Sequence, residues 1–573
     1  MRLPVPLLLQ RIVRLLTPAQ RHEATWVAGS VFMRALLDFA GVAALLPALL
    51  TAVQPDHRGQ ALALCAAALA FVALKNAAIT ALSQYQSRFQ LTLYRDLSRR
   101  LYIGYYQRGL LFLHSKSSVQ LSYAVNQQCY VFCLAVLAPL FRMASDTILI
   151  GLMVGALLVW KPLAALLMGL TFAGLVAAYG GWTRRRLQQA GEQEMEARRK
   201  QTRIVAESFR GYPELQVADA FSTLLGAFDQ GMEAIINCRL RTERYQLVPS
   251  FLSEAALLIG LAWLIGLEDQ QLSMMSGILA LAAFRLVPSA KSLLNNWSTL
   301  QNAAHTLDTL EEGLQGETVP ATDTKPIAAT PSAQVAAPGL TFQQSIDLRG
   351  LAFRFADGHT LFSGLNLHIA RGERLGIRGA SGTGKSTLFN LMLGFLLPTE
   401  GEVCIDGVPL TATNRHDWHR YVGYVPQEIF IVEGNLLDNI ALGDDRPDPQ
   451  RVKKVLEQVQ LKAWADKLPL GLETPLGEYG NRLSGGQKQR IGIARALYKR
   501  AEVLFFDEAT SALDHRTEQE INRELEQLSQ TCHGLTWIVI AHRESSLAFC
   551  NRVIDLDRWQ TITDSPEIKK KNE

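Results

Sequence analysis

The hydrophobic pattern divides the chain into two kinds of sequence. Apolar runs long enough to cross a bilayer, about 20 residues each, fall at 26–53, 60–82, 131–159, 162–183, 246–267 and 272–294. Beyond residue 345 the pattern instead reads as a soluble α/β domain of short apolar strands and helical stretches. Residues 314–339 belong to neither part. Prolines at 320, 326, 331 and 338 in an Ala/Pro/Ser tract predict a flexible connector with no core of its own. The pattern thus predicts an amphipathic N-terminal helix at 1–25, a six-span domain at 26–313, a linker at 314–344, an α/β domain at 345–560 and a polar tail at 561–573.

Charge orients the spans. The stretch after the second carries Arg88, Arg95, Arg99, Arg100, Arg108 and Lys116. The stretch after the fourth opens with Arg184-Arg185-Arg186 and continues with Arg198, Arg199, Lys200, Arg203 and Arg210. The other connections are short and poor in positive charge, so the basic stretches are expected inside, with both chain ends. Helical spacing, as in Tyr94, Leu97 and Leu101, continues through 84–110 and 184–245. Long helical arms reaching past the membrane are therefore expected, turning near Gly109–Ser118 and Gly211–Ala218. At the start, Leu7-Leu8-Leu9, Ile12, Val13, Leu15 and Leu16 are interrupted by Arg11 and Arg14, with no small-residue cleavage site. That favours a helix lying on the inner membrane face over a signal peptide.

Composition adds exclusions. A chain of 573 residues needs two or more domains. A net charge of +4 gives no reason to propose nucleic acid as a partner. The seven cysteines have no metal-ligand spacing, although Cys129 and Cys133 lie four apart, and they read as reduced packing residues.

Chemistry concentrates in the second part. Gly379-Ala380-Ser381-Gly382-Thr383-Gly384-Lys385-Ser386 follows a short strand at Leu375–Arg378 and precedes a helical run from Thr387. Glycines at this spacing let backbone N–H groups curl around phosphate oxygens at a helix N-terminus. Lys385 would neutralise the terminal phosphates, and the Ser386 hydroxyl would hold Mg²⁺. Val503-Leu504-Phe505-Phe506 is an apolar strand ending in Asp507 and Glu508, placed for the Mg²⁺ shell and for polarising an attacking water. Ser484, Gly485, Gly486 and Gln487 form a second phosphate-type loop ahead of a helix. One nucleotide does not need two such loops in one domain, so the second is expected to serve ATP held by another copy.

These motifs, in order, resemble the ATP-binding cassette (ABC) superfamily over about Ile346–Leu556. The resemblance implies that Gln427, in Tyr424-Val425-Pro426-Gln427, is a sensor of Mg²⁺ and γ-phosphate, and that His542 is the switch histidine. It also implies that Ser511–Asp514 is the D-loop, with Asp514 at the nucleotide, and that Phe355 replaces the usual adenine-stacking tyrosine. The fused arrangement resembles the type IV ABC exporters: an all-α six-helix membrane domain followed by a P-loop NTPase cassette. Thr474–Gly480 is similar to their X-loop, with Tyr479 where a basic residue is common. Within the sixth span, the stretch from Ser276 to Ala290 resembles that of bacterial flippases for lipid-linked oligosaccharides. Thr51–Gln60 is too short to hold the external helix those flippases carry.

The resemblance implies an ATP-driven, Mg²⁺-dependent exporter or flippase, acting as a homodimer on an amphipathic substrate such as a lipid-linked glycan, lipid or peptide. Its expected place is the cell membrane, the inner membrane of a bacterium. A small-molecule exporter, an ATP-gated channel or regulator, and a heterodimer with a degenerate partner share this scaffold. A non-transporting ABC ATPase would lack the spans, and without a preceding peptidase domain a peptide-cleaving exporter is not expected. Ionisable residues within spans are expensive and face cavities or partners. Arg34 with Asp38, and Arg142 with Asp146, are spaced to pair along a helix face or to line a polar cavity. Arg285 and Lys291, with no acid four residues away, are the stronger candidates for an anionic substrate, and Arg34 and Glu254 are further ones.

Overall fold

The computed structural model describes residues 5–44, 58–160, 162–267, 272–314, 340–355, 358–508, 515–531, 534–541 and 543–557. The chain separates into two units, Met1–Pro326 and Ile327–Glu573.

The first unit is helical. Helix α1 (Val5–Leu15) is followed by α2 (Pro18–Ala43), whose start is set by Thr17 in a capping box with Gln20 and by Pro18 in the first turn. Helix α3 runs from Arg58 to Gln107, 50 residues. At 1.5 Å per residue that is about 75 Å, more than twice a hydrocarbon core. Gly109, at φ 80°, breaks it, and a short helix, Leu110–Ser115, carries the chain round to Ser118. Two π-helical turns, Ala124–Gln128 and Phe132–Leu137, lead into α4 (Ala138–Trp160). Helix α5 (Pro162–Arg210) packs along α6 (Phe221–Leu267), joined through Tyr212–Val217. Helix α7 (Leu272–Ala303) contains Pro288, and α8 (His305–Leu314) closes the unit. One apolar cluster unites Leu8 and Ile12 of α1, Leu97 and Leu101 of α3, Phe132 and Cys133, Leu300 of α7, and Leu307 and Leu310 of α8.

Among the described residues, Pro18–Ala43, Leu64–Gln107 and Ser118–Val159 are long and apolar enough to cross a membrane. They overlap the expected spans at 26–53, 60–82 and 131–159, of which 45–53 lies outside the described residues. The expected fourth, fifth and sixth fall on α5, α6 and α7, where many side chains lie outside the described residues. Cys129 and Cys133 are fully buried, and no group of metal-ligand type is found among the described residues.

The second unit holds two sheets. Strands β1 (Ser345–Arg354) and β2 (Thr360–Ala370) join β4 (Glu400–Ile405) and β5 (Val408–Pro409) in an antiparallel sheet ordered β2-β1-β4-β5. The central sheet is parallel, ordered β6-β7-β8-β3-β9. It comprises β3 (Arg374–Arg378), β6 (Val422–Val425), β7 (Val503–Asp507), β8 (Thr536–Ile540) and β9 (Arg552–Asp555). Strands covered on both faces read as continuous apolar runs, and Val503–Phe506 and Trp537–Ile540 are buried throughout. Helices α9 (Lys385–Met392), α10 (Gly485–Tyr498) and α11 (His515–Thr531) belong to this unit. Phe389 of α9 meets Phe505 edge-on at 5.2 Å, and Trp537 stacks on Phe506 at 5.4 Å. Parallel order brings the loops after β3, β6, β7 and β8 to one edge, the usual ligand edge of such sheets.

Candidate nucleotide site

The phosphate loop leaves β3 and enters α9. Gly382 and Gly384 take φ of 89° and 92°, which favours glycine strongly. A Cβ on Gly384 would also lie 2.6 Å from Leu361 Cδ2. Lys385 is 5% exposed and donates to the carbonyls of Gly379 and Ala380, both at 2.9 Å. Thr383 donates to the Ala380 carbonyl at 3.0 Å. Ser386 Oγ donates to Asp507 Oδ1 at 3.4 Å, which joins the loop to the end of β7.

Glu508 follows Asp507 with φ 48°, its N–H donating to the Ile540 carbonyl at 3.0 Å. A left-handed non-glycine residue is strained backbone of the kind found at working sites. Gln427, just beyond β6, donates through Nε2 to Glu508 Oε2 at 3.2 Å. The structure thus brings together Lys385, Ser386, Asp507, Glu508 and Gln427 from three strand ends. Burial, reinforced by Glu508, pushes the Asp507 carboxyl above the usual carboxylate range. Hydroxyl, carboxylate and amide oxygens with an excess of negative charge are the donor set a hard divalent cation prefers, so the residues fit Mg²⁺.

Ser484 caps α10: its Oγ accepts from the Gln487 N–H at 3.2 Å, and Gln487 Oε1 accepts from the Ser484 N–H at 2.8 Å. Phe355 sits at the end of β1, edge-on to Phe353 at 5.1 Å and half-buried. Tyr479, in the loop before Ser484, is exposed with φ 51°. His542 and Ser511–Asp514 lie outside the described residues. Their neighbours show a feature that sequence reading missed. Glu518 of α11, 1% exposed, accepts from Arg543 Nη1 and, at 3.2 Å, from Ser546 Oγ. Arg490 of α10 donates to Glu524 of α11 at 2.6 Å. Nothing in local spacing marks these pairs, because their members come from separate elements.

In the first unit, Asp38 of α2 pairs with Lys75 of α3 at 3.4 Å and with Arg285 of α7 at 2.5 Å. Arg34 donates to Ser83 Oγ at 3.4 Å. The acid four residues from Arg34 is therefore bound across helices. Lys75 can reach it because it lies over Gly41, where a Cβ would come within 2.8 Å of Lys75 Cδ. Arg285 is not an isolated cation. Lys291 is exposed, and the Glu254 side chain lies outside the described residues.

These elements define a P-loop cassette carried behind a unit of long helices. Residues 362–511 match the ABC transporter family. The ATP-dependent lipid A-core flippase of Bordetella avium is 31% identical over 66% of this chain and 63% of its own length. That of Ralstonia nicotianae is 38% identical over 37% of this chain and 36% of its own. The alpha-hemolysin translocation ATP-binding protein of Proteus vulgaris is 39% identical over 38% of this chain and 30% of its own. The chain therefore spans from about a third to under two thirds of these relatives. The structure of a bacterial Atm1-family ABC exporter with ATP bound superposes with a TM-score of 0.76 at 21% identity, covering 96% of this chain and 99% of that one. Residues 362–511 thus form an ABC transporter cassette, and the chain as a whole shares the fold of that exporter structure.

Proposed function

We propose that the chain is an ATP-driven exporter or flippase that moves an amphipathic substrate outward across the membrane. The observation that carries this is the convergence of Ser386 on Asp507 and of Gln427 on Glu508 beside the phosphate loop. Lys385 and the loop amides bind the triphosphate, Asp507 and Ser386 hold the cation, and Glu508 takes a proton from the attacking water while Gln427 orients it. Mg²⁺, when bound, offsets the phosphate charge. His542 contacts the γ-phosphate, Asp514 lies at the interface between cassettes, and Phe355 stacks on the adenine.

Two copies are needed. Ser484, Gly485 and Gly486 close over the nucleotide held by the opposite cassette, giving two composite sites in a homodimer. Six spans with both chain ends in the cytoplasm, and basic helical arms on that side, would pass closure to the membrane domain. The cargo is an amphipathic molecule with a polar or anionic head. The relatives named lipid A-core flippases support this, because one alignment of 397 residues is longer than the whole cassette unit and so includes membrane helices. Arg34, Arg285, Lys291 and Glu254 are the proposed head-group contacts, with Asp38 as the acid an anion displaces from Arg285. Reconstitution in proteoliposomes tests the reading. ATP-dependent movement of a labelled lipid against its gradient is expected, and Glu508→Gln should abolish it. ATP-gated leakage down the gradient alone would show a channel.

A further inference from the structure

The edge of the central sheet holds the phosphate loop in a way no motif records. Strands β3 and β9 pair in parallel from Leu375 with Arg552 to Arg378 with Asp555. The ladder then ends, because the loop turns away toward α9. An amide N–H just past a strand end must find another acceptor. Here the Ala380 N–H donates to both carboxylate oxygens of Asp557, each at 3.0 Å. The two residues keep the 177-position offset that also relates Arg378 to Asp555, so a side chain continues the ladder where backbone cannot.

The same peptide is held at its other end. The Gly379 carbonyl, which shares a peptide plane with the Ala380 N–H, accepts from Lys385 Nζ at 2.9 Å. A carboxylate and an ammonium thus grip one peptide unit from opposite sides, and charge-assisted bonds of this kind are stronger than neutral ones. Asp557 is itself fixed. Its N–H donates to Asp555 Oδ1 at 3.1 Å, while Asp555 Oδ2 accepts from Arg378 Nε at 3.1 Å. The fit is close, since a Cβ on Gly379 would lie 3.3 Å from Asp557 Oδ1 and 2.8 Å from Thr383 Oγ1.

We infer that Asp557 is a positioning residue for the phosphate loop: it anchors the Gly379–Ala380 peptide against which Lys385 is aimed at the triphosphate. An acid this near a phosphate site would, by charge alone, repel the nucleotide. Positioning and charge therefore predict opposite signs when the residue is neutralised.

The proposal rests on the reading of Gly379–Ser386 as a nucleotide loop, and the experiment separates the two. Equilibrium binding of ATP is measured on the full chain in lipid nanodiscs for the unaltered protein, Lys385→Ala, Asp557→Ala and Asp557→Asn. Steady-state kinetics and nucleotide-free thermal midpoints are measured alongside. Asp557→Ala should raise the Kd and KM for ATP roughly tenfold, equivalent to about 1.4 kcal/mol, with kcat falling less than KM rises. Asp557→Asn keeps one acceptor oxygen and should fall between. Unchanged or tighter ATP binding in both variants, whatever their thermal midpoints, overturns the proposal. If Lys385→Ala also binds ATP normally, the nucleotide reading itself is wrong.

Discussion

The two units treat their charges in opposite ways. In the helical unit, Asp38 lies between Lys75 and Arg285 across three helices, so this acid is paired twice over. In the cassette, Asp507 and Glu508 stand side by side at a half-buried corner, and burial together with that neighbour raises the Asp507 carboxyl. A matched network serves structure as readily as substrate, whereas adjacent acids in a low-dielectric corner are costly until a cation joins them. The contrast teaches where function shows itself, which is in the electrostatics a protein leaves unbalanced.

The largest effect that would sharpen this contrast is at Glu508. Glu508→Gln keeps the shape and removes the carboxylate proposed to accept the proton, and ATP turnover measured by phosphate release should fall about 10²–10⁴-fold. Chelation of divalent cations should likewise stop turnover, with activity returning on addition of Mg²⁺, if Asp507 and Ser386 hold the cation as proposed. In the helical unit, Asp38→Ala strands two cations against each other. It should lower stability by about 3 kcal/mol, seen as a reduced thermal midpoint in detergent. Adding Lys75→Met should recover part of that loss, because the two effects couple. If Asp38→Ala left the midpoint unchanged but altered stimulation by substrate, the cluster would serve the proposed head-group contact without also bracing the helices.

The smallest effect has an unusual sign. A carboxyl whose folded-state pKa lies above its ordinary value is less readily ionised in the fold than in the unfolded chain. That group reduces stability as pH rises through the range between the two values, and the penalty persists at neutral pH. Asp507→Asn should therefore raise the thermal midpoint of the nucleotide-free protein at pH 7 by about 2 °C, while turnover is lost. The gain should vanish at a pH low enough to protonate the acid in both states.

The sequence announced the cassette because its chemistry is local. Gly379–Ser386 needs consecutive amides, and Asp507 and Glu508 need only a strand to end beneath them, so a few adjacent positions carry each role. The length of these helices was legible for a similar reason, since helical spacing continued past the apolar runs up to Gly109 and Gly211. Pairings between distant elements were not. The four-residue spacing of Arg34 and Asp38 suggested a bond along α2, yet Asp38 turns to Lys75 and Arg285, and only packing shows that Gly41 makes room for the lysine. Asp557 lies 177 positions from the amide it holds, and Glu518 meets Arg543 only when α11 packs beside the end of β8. Such contacts depend on the register of whole elements, which no short stretch encodes.

Each nucleotide site is proposed to be built from two copies. Linked dimers carrying one Lys385→Ala and one Gly485→Asp lesion test it most directly. With the lesions on separate chains, one site keeps an intact Lys385 facing an intact signature loop, and ATP turnover should persist. With both on a single chain, each site contains one damaged half, and turnover should be lost. The reverse pattern, activity when one chain carries both lesions and none when they are divided, would show sites complete within one chain and contradict the account.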